Sequence, residues 1–112
     1  MQSIEYGDFE KVVMAVGTVL AAEVNSKARK PAYVLTIDFG ADYGIRTSSA
    51  QLTQNYTAEA LLGMQVVAVM NFPVRRVAGV ESQVLVLGAV NESEGVVLLM
   101  PTKPVENGTR IS

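Results

Sequence analysis

The sequence predicts an all-β domain, a five-stranded OB-fold barrel carrying one short helix, with terminal extensions that form a dimer interface. Three observations lead there. The apolar stretches are short, rich in Val, Leu and Ile, and separated by Gly, Asn, Pro or charge, with no long helical periodicity. They fall near residues 12–24, 32–39, 43–49, 64–72, 83–90 and 95–100. A single well-formed helix signature lies between the third and fourth strands, the element order of an OB-fold barrel. A small sandwich would leave that helix unexplained.

Asp8-Phe9-Glu10-Lys11 can form one helical turn ahead of the first strand. The first strand is long and contains Gly17, which suggests a bend or bulge. In the second, Tyr33, Leu35, Ile37 and Phe39 alternate with Val34, Thr36 and Asp38, so one face is buried. The helix follows as Ala58-Glu59-Ala60-Leu61-Leu62, with Thr57 as N-cap and Gly63 just past its end. The later strands are apolar on both faces. Met64, Val66, Ala68, Met70 and Phe72 oppose Val67 and Val69, and Val84 and Val86 oppose Leu85 and Leu87. A barrel interior covers one face only, so a second layer is expected from the tail Gly95–Met100 and from a second copy of the chain.

With 112 residues and 49% hydrophobic content, the chain is expected to be a single domain, 1–112, with a real core. It has no Cys and no His. Disulfides, thiol nucleophiles, Cys/His zinc sites and imidazole bases are therefore excluded. Carboxylate, lysine or tyrosine chemistry with magnesium remains, and Asp38 with Asp42 is only a weak pair for it, because a solvated strand end explains both. No cofactor is expected, and no nucleophile–base pair or metal cluster is evident. The N-terminal residues MQSIEYGDFEK are acidic and polar, unlike a signal peptide, and no apolar run reaches the roughly 18 residues of a membrane helix, so a cytoplasmic protein without membrane insertion is expected. On that view the Asn-x-Ser/Thr triplets at Asn55, Asn91 and Asn107 are chance matches.

The net charge is −2, yet the nine basic residues are clustered. Lys27, Arg29 and Lys30 fall between strands one and two, and Arg75 and Arg76 between strands four and five. In an OB fold these two loops flank the face of strands two and three, the usual oligonucleotide-binding surface, and Arg46 on the third strand can join them. Six of nine basic residues then share one side, so a slightly acidic molecule can still bind an anion. Solvated loops carry Lys and Arg routinely, and that plain explanation competes for each loop taken alone. Tyr33 reads as core, Phe72 as core or ligand contact, and Ser48 and Ser49 as strand hydroxyls or hydrogen-bond donors to a ligand.

The segments NSKARKPAYVLTIDFG, RTSSAQLTQNY, VVAVMNFPVRRVAGVESQVLVLG and GVVLLMPTKPVENGT resemble the CsaA proteins, a branch of the tRNA-binding-domain family, from Phe9 to Gly108. The resemblance implies an OB-fold homodimer that binds rather than catalyses. It implies an export-related chaperone holding unfolded or preprotein segments, or else a factor that binds structured RNA such as tRNA through the same surface. The family's ligand-side positions match Ser49, Gln51, Asn71, Phe72, Arg75, Arg76 and Ser82. Three departures stand out. Val13-Met14-Ala15 replaces a frequent Asp-Ile-Arg, Glu81 stands where a cation is common, and Asn25-Ser26-Lys27-Ala28-Arg29 replaces the synthetase-type His-Pro-x-Ala-Asp. One Arg fewer and one Glu more favour peptide over RNA.

Overall fold

The computed structural model describes all of residues 1–112. Its main sheet is made of β1 (Met14–Val24), β2 (Tyr33–Asp38), β3 (Ile45–Ala50), β4 (Gln65–Val69), β7 (Leu85–Val86) and β10 (Arg110–Ile111). Their order is β3-β2-β1-β4-β7, with β10 also paired to β1. Two hairpins stand beside it, β5 (Arg75–Val77) with β6 (Val80–Ser82), and β8 (Gly88–Asn91) with β9 (Gly95–Leu98). Helices α1 (Tyr6–Glu10) and α2 (Ala58–Leu61) complete the chain.

β1 is long because it serves two neighbours. Met14–Thr18 pair with β4, and Thr18–Val24 pair with β2. The register shifts between Val19 and Ala21, a bulge that helps turn the strand around the barrel. The expected irregularity therefore lies just beyond Gly17, and the glycine has a different reason. A Cβ at Gly17 would lie 2.6 Å from Phe39 Cδ1 and 2.7 Å from Ile37 Cγ2. The Phe39 ring packs against the strand where only hydrogen leaves room.

The second strand behaves as its alternation predicts. Tyr33, Leu35, Ile37 and Phe39 are buried, and with Val19, Val66, Ala68, Leu61 and Leu98 they form the barrel core. Each of the larger aliphatic or aromatic side chains among them contributes about 1.5–3 kcal/mol. α2 closes one end of the barrel with Leu61, and Thr57 Oγ1 accepts a hydrogen bond from Ala60 N–H at 3.1 Å, the expected N-cap. α1 begins two residues before the expected turn, and the Asp8 carboxylate accepts the Glu5 N–H at 3.0 Å.

The barrel closes largely through side chains. On the outer edge of β3, Thr47 N–H donates to Gln83 Oε1 at 2.9 Å and Thr47 C=O accepts from Gln83 N–H at 2.8 Å. Ser49 N–H donates to Ser82 Oγ at 3.1 Å. Ser82 and Gln83 thus replace the rungs of a missing β3–β7 ladder.

The need for a second copy over Val67 and Val69 is corrected. They are only 7% and 5% exposed in the single chain, and the C-terminal segment hydrogen-bonds the neighbouring strand β1 through Gly108 N–H to Val16 C=O at 2.7 Å. Among the large apolar residues left exposed elsewhere, Leu85, Val90, Val97, Leu99 and Met100 lie together on and next to the β8–β9 hairpin. The asparagines of the three Asn-x-Ser/Thr triplets are all engaged internally. Asn55 Nδ2 donates to the Glu94 and Val96 carbonyls, Asn91 Oδ1 accepts from Ser93 and Glu94 in the β8–β9 turn, and Asn107 Oδ1 accepts from Thr18 Oγ1. No helix is long and apolar enough to cross a membrane.

Candidate ligand-binding groove

Residues 71–82 hold the least expected piece of backbone. The sequence RRVAGVES forms a tight hairpin whose two turn residues, Ala78 (φ +47°) and Gly79 (φ +83°), both have positive φ. This is the type I′ pattern that matches strand twist. Its signal was present in the sequence as Ala-Gly between two valines, and it converts an expected loop into a two-faced ribbon.

The ribbon separates the two arginines. Cross-strand pairing sets Arg75 opposite Ser82, Arg76 opposite Glu81 and Val77 opposite Val80. Directly opposed residues share a face and successive ones alternate, so Arg75, Val77 and Ser82 look one way and Arg76 and Glu81 the other. Arg76 Nη2 lies 3.3 Å from Glu81 Oε1, an exposed ion pair. Arg75 has no hydrogen-bond or ion-pair partner in the chain.

Two adjoining concavities lie along the outer edge of β3. One, of about 510 Å³, is lined by Ser49, Phe72, Pro73, Arg75, Val77, Ser82, Gln83, Val84 and Leu85. The other, of about 320 Å³, is lined by Ala28, Arg29, Lys30, Ala32, Ser49, Gln51, Val77 and Ala78. Ser49 and Val77 belong to both, so the two form one groove with a shared floor. Its apolar wall is Phe72, Pro73, Val84 and Leu85, and Phe72 is 53% exposed.

The loop between β1 and β2 reaches the hairpin tip. Asn25 organises that loop, its Oδ1 accepting Lys27 N–H at 3.1 Å and its N–H donating to Ala32 C=O at 2.9 Å. The Lys27 side chain runs beside Gly79. The two basic loops therefore meet over β3.

The expected site residues fall into three sets. Ser49, Gln51, Phe72, Arg75, Ser82, Arg29 and Lys30 line the groove, with Lys27 at its rim. Arg76 is on the opposite face of the hairpin, held by Glu81. Arg46 and Asn71 serve the scaffold. Arg46 pairs with Ile37 on β2, and its Nε donates to Tyr43 C=O at 2.9 Å. Asn71 Oδ1 accepts Val13 N–H at 3.0 Å and its Nδ2 donates to Lys11 C=O at 2.7 Å, which fixes the residue preceding Phe72. Sequence reasoning missed Pro73, Val77, Val84, Leu85 and Gln83, whose types say core or loop and whose groove role depends on the hairpin. Asp38 is used by its own turn, its Oδ1 accepting Gly40 N–H at 2.8 Å. Asp42 lines a separate polar concavity with Glu106. No group of three or more acidic side chains is arranged to hold a metal.

A nearly closed five-stranded barrel with a groove at the β2–β3 side, bordered by the loops after β1 and β4, defines a binding module of the OB-fold class. The chain belongs to the tRNA binding domain family, whose model matches residues 14–110. The crystal structure of chaperone CsaA from Bacillus anthracis has a TM-score of 0.94 at 50% identity, covering 99% of this chain and 100% of that one. That of CsaA from Picrophilus torridus has a TM-score of 0.92 at 42% identity, covering 98% and 100%. The methionine–tRNA ligase of Pyrococcus furiosus is 36% identical over 111 residues, 99% of this chain and 15% of the ligase. The chain thus spans about 15% of the length of such ligases. The resemblance read from the four segments holds.

Proposed function

We propose that this protein is a homodimeric, cytoplasmic binding protein of CsaA type, an export-related chaperone that holds unfolded or preprotein segments in the groove along β3. The observation that carries this reading is the groove's composition, an exposed Phe72 in an apolar wall beside a strand edge. Ser49 N–H and Thr47 N–H and C=O are taken by Ser82 and Gln83, but the Ser49 C=O has no partner. An extended peptide supplies both an apolar side chain for the wall and an N–H for that carbonyl. The ligand-side residues are Lys27, Arg29, Lys30, Ser49, Gln51, Phe72, Arg75 and Ser82, while Arg46 and Asn71 hold the scaffold behind them and Arg76 lies on the far face of the hairpin. The second copy docks through the exposed apolar residues of the β8–β9 region, where Val90 is 81% and Met100 51% exposed. The test is suppression of aggregation of a chemically denatured client, followed by light scattering. Wild type suppresses it at near-stoichiometric ratio and Phe72→Ala does not. Equal suppression by both removes the groove from the account.

A second reading, a structure-selective tRNA-binding factor using the same surface, is favoured by Lys27, Arg29 and Lys30, none of which has an acidic partner. The Arg76–Glu81 pair counts against it, because it neutralises one cation and leaves a carboxylate on the hairpin.

A further inference from the structure

The groove has a charge asymmetry that the whole chain does not. Across all 112 residues acids outnumber bases, 11 to 9. Around the two joined concavities stand Arg75 at one end and Arg29 and Lys30 at the other, with no Asp or Glu among the lining residues. None of these three cations has a hydrogen-bond or ion-pair partner in the chain. The nearest acid in sequence, Glu81, is turned to the far face of the hairpin and bound by Arg76. The one acid within the β5–β6 hairpin is thus kept out of the groove by strand alternation, while its neighbour Ser82 faces in.

Between the cationic ends the surface is uncharged. Ser49 and Val77 form the floor, and Phe72, Pro73, Val84 and Leu85 the wall. We infer that the groove selects, among extended peptides, those in which an apolar side chain is flanked on both sides by acidic residues, the carboxylates meeting Arg75 at one end and Arg29 or Lys30 at the other. This rests on the peptide reading above and names the class of segment that the site prefers. The physical reason is complementarity. An apolar residue alone fills the wall but leaves three cations without counter-charge, and a basic flank brings like charge against them. The unpaired Ser49 carbonyl between the ends accepts a peptide N–H and disfavours a phosphate oxygen, which distinguishes this ligand from a nucleic-acid backbone.

The experiment is fluorescence anisotropy with three dye-labelled peptides that share one Leu-Phe core and carry Asp, Ser or Lys on both sides. An exposed charge pair is worth about two- to fivefold in affinity, so the Asp peptide binds roughly tenfold or more tighter than the Lys peptide, with Ser between them. Arg75→Glu narrows or inverts that order, and Arg76→Glu, on the outer face, leaves it nearly unchanged. Because both changes are at exposed ribbon positions, circular dichroism of each variant confirms that the fold is kept. If Arg75→Glu does unfold the chain, Arg29→Ser with Lys30→Ser reads the other end of the groove. Equal binding by all three peptides, or preference for Lys, overturns the inference while leaving the peptide reading intact. If no peptide binds and tRNA does, the peptide reading falls and the inference with it.

Discussion

Replacing Gly17 with alanine adds one methyl group at a point where the barrel has no space for it. The new Cβ would lie 2.6 and 2.7 Å from Cδ1 and Cε1 of Phe39 and 2.7 Å from Cγ2 of Ile37, all closer than carbon atoms pack. Phe39 and Ile37 are fully buried, so neither ring nor methyl can swing into solvent. Relief requires β1 to move away from β2 or Phe39 to leave its rotamer, at about 1–3 kcal/mol. Alanine is favoured over glycine in a strand by about 0.5–1 kcal/mol, which offsets part of that loss. The net loss centres on about 1 kcal/mol, and in a domain of this size Tm falls by roughly 4–8 °C. Valine, with two further methyl groups, loses at least as much. Differential scanning calorimetry reads the change, with Gly7→Ala as control because nothing lies within 4 Å of a Cβ there. Phe39→Leu in the Gly17→Ala background recovers part of the loss if the ring is the obstacle. An unchanged Tm for Gly17→Ala refutes the close-approach account.

The other expectations concern the ribbon, its anchor and the assembly. Ala78→Asn places a residue that tolerates left-handed backbone in the first turn position and stabilises the protein by about 0.5–1 kcal/mol, read as a Tm increase; a decrease contradicts the type I′ turn. Asn71→Ala removes the bonds to Val13 N–H and Lys11 C=O and costs about 1–2 kcal/mol, with weaker client binding because Phe72 is no longer fixed, whereas unaltered stability and binding would make the clasp incidental. Wild type sediments as a dimer at micromolar concentration, and Val97→Asp with Met100→Asp gives a folded monomer; a wild-type monomer contradicts the dimer.

What the sequence made legible was local. The period-2 pattern at Tyr33–Phe39 and the Thr57 cap with Gly63 each follow from a few neighbouring residues, and the structure has both. What it hid depends on residues far apart. Val67 and Val69 looked as if they needed a partner because nothing in their own strand says that the single chain already covers that face. Arg75 and Arg76 looked like one basic pair because their separation arises from hairpin alternation, which an Ala-Gly turn encodes only weakly. Asn71 looked like a ligand contact, and its two partners lie about 60 positions earlier in the chain. Gly17 was noticed as a special position, but the atom that requires it belongs to Phe39 on another strand.

Salt dependence separates holding a peptide from binding RNA most directly. Binding of an unfolded client peptide and of tRNA is measured on one protein preparation from low to physiological ionic strength, with wild type, Phe72→Ala and the Arg75→Ala, Arg76→Ala pair. A peptide carries no condensed counterions, so its log affinity falls only shallowly with log salt, whereas tRNA loses about one unit of slope per phosphate contact. Peptide binding is expected to persist at physiological salt with a shallow slope, and to lose more from Phe72→Ala than from the arginine pair. Tight tRNA binding at physiological salt with a steep slope, abolished by the arginine pair and indifferent to Phe72, would contradict it.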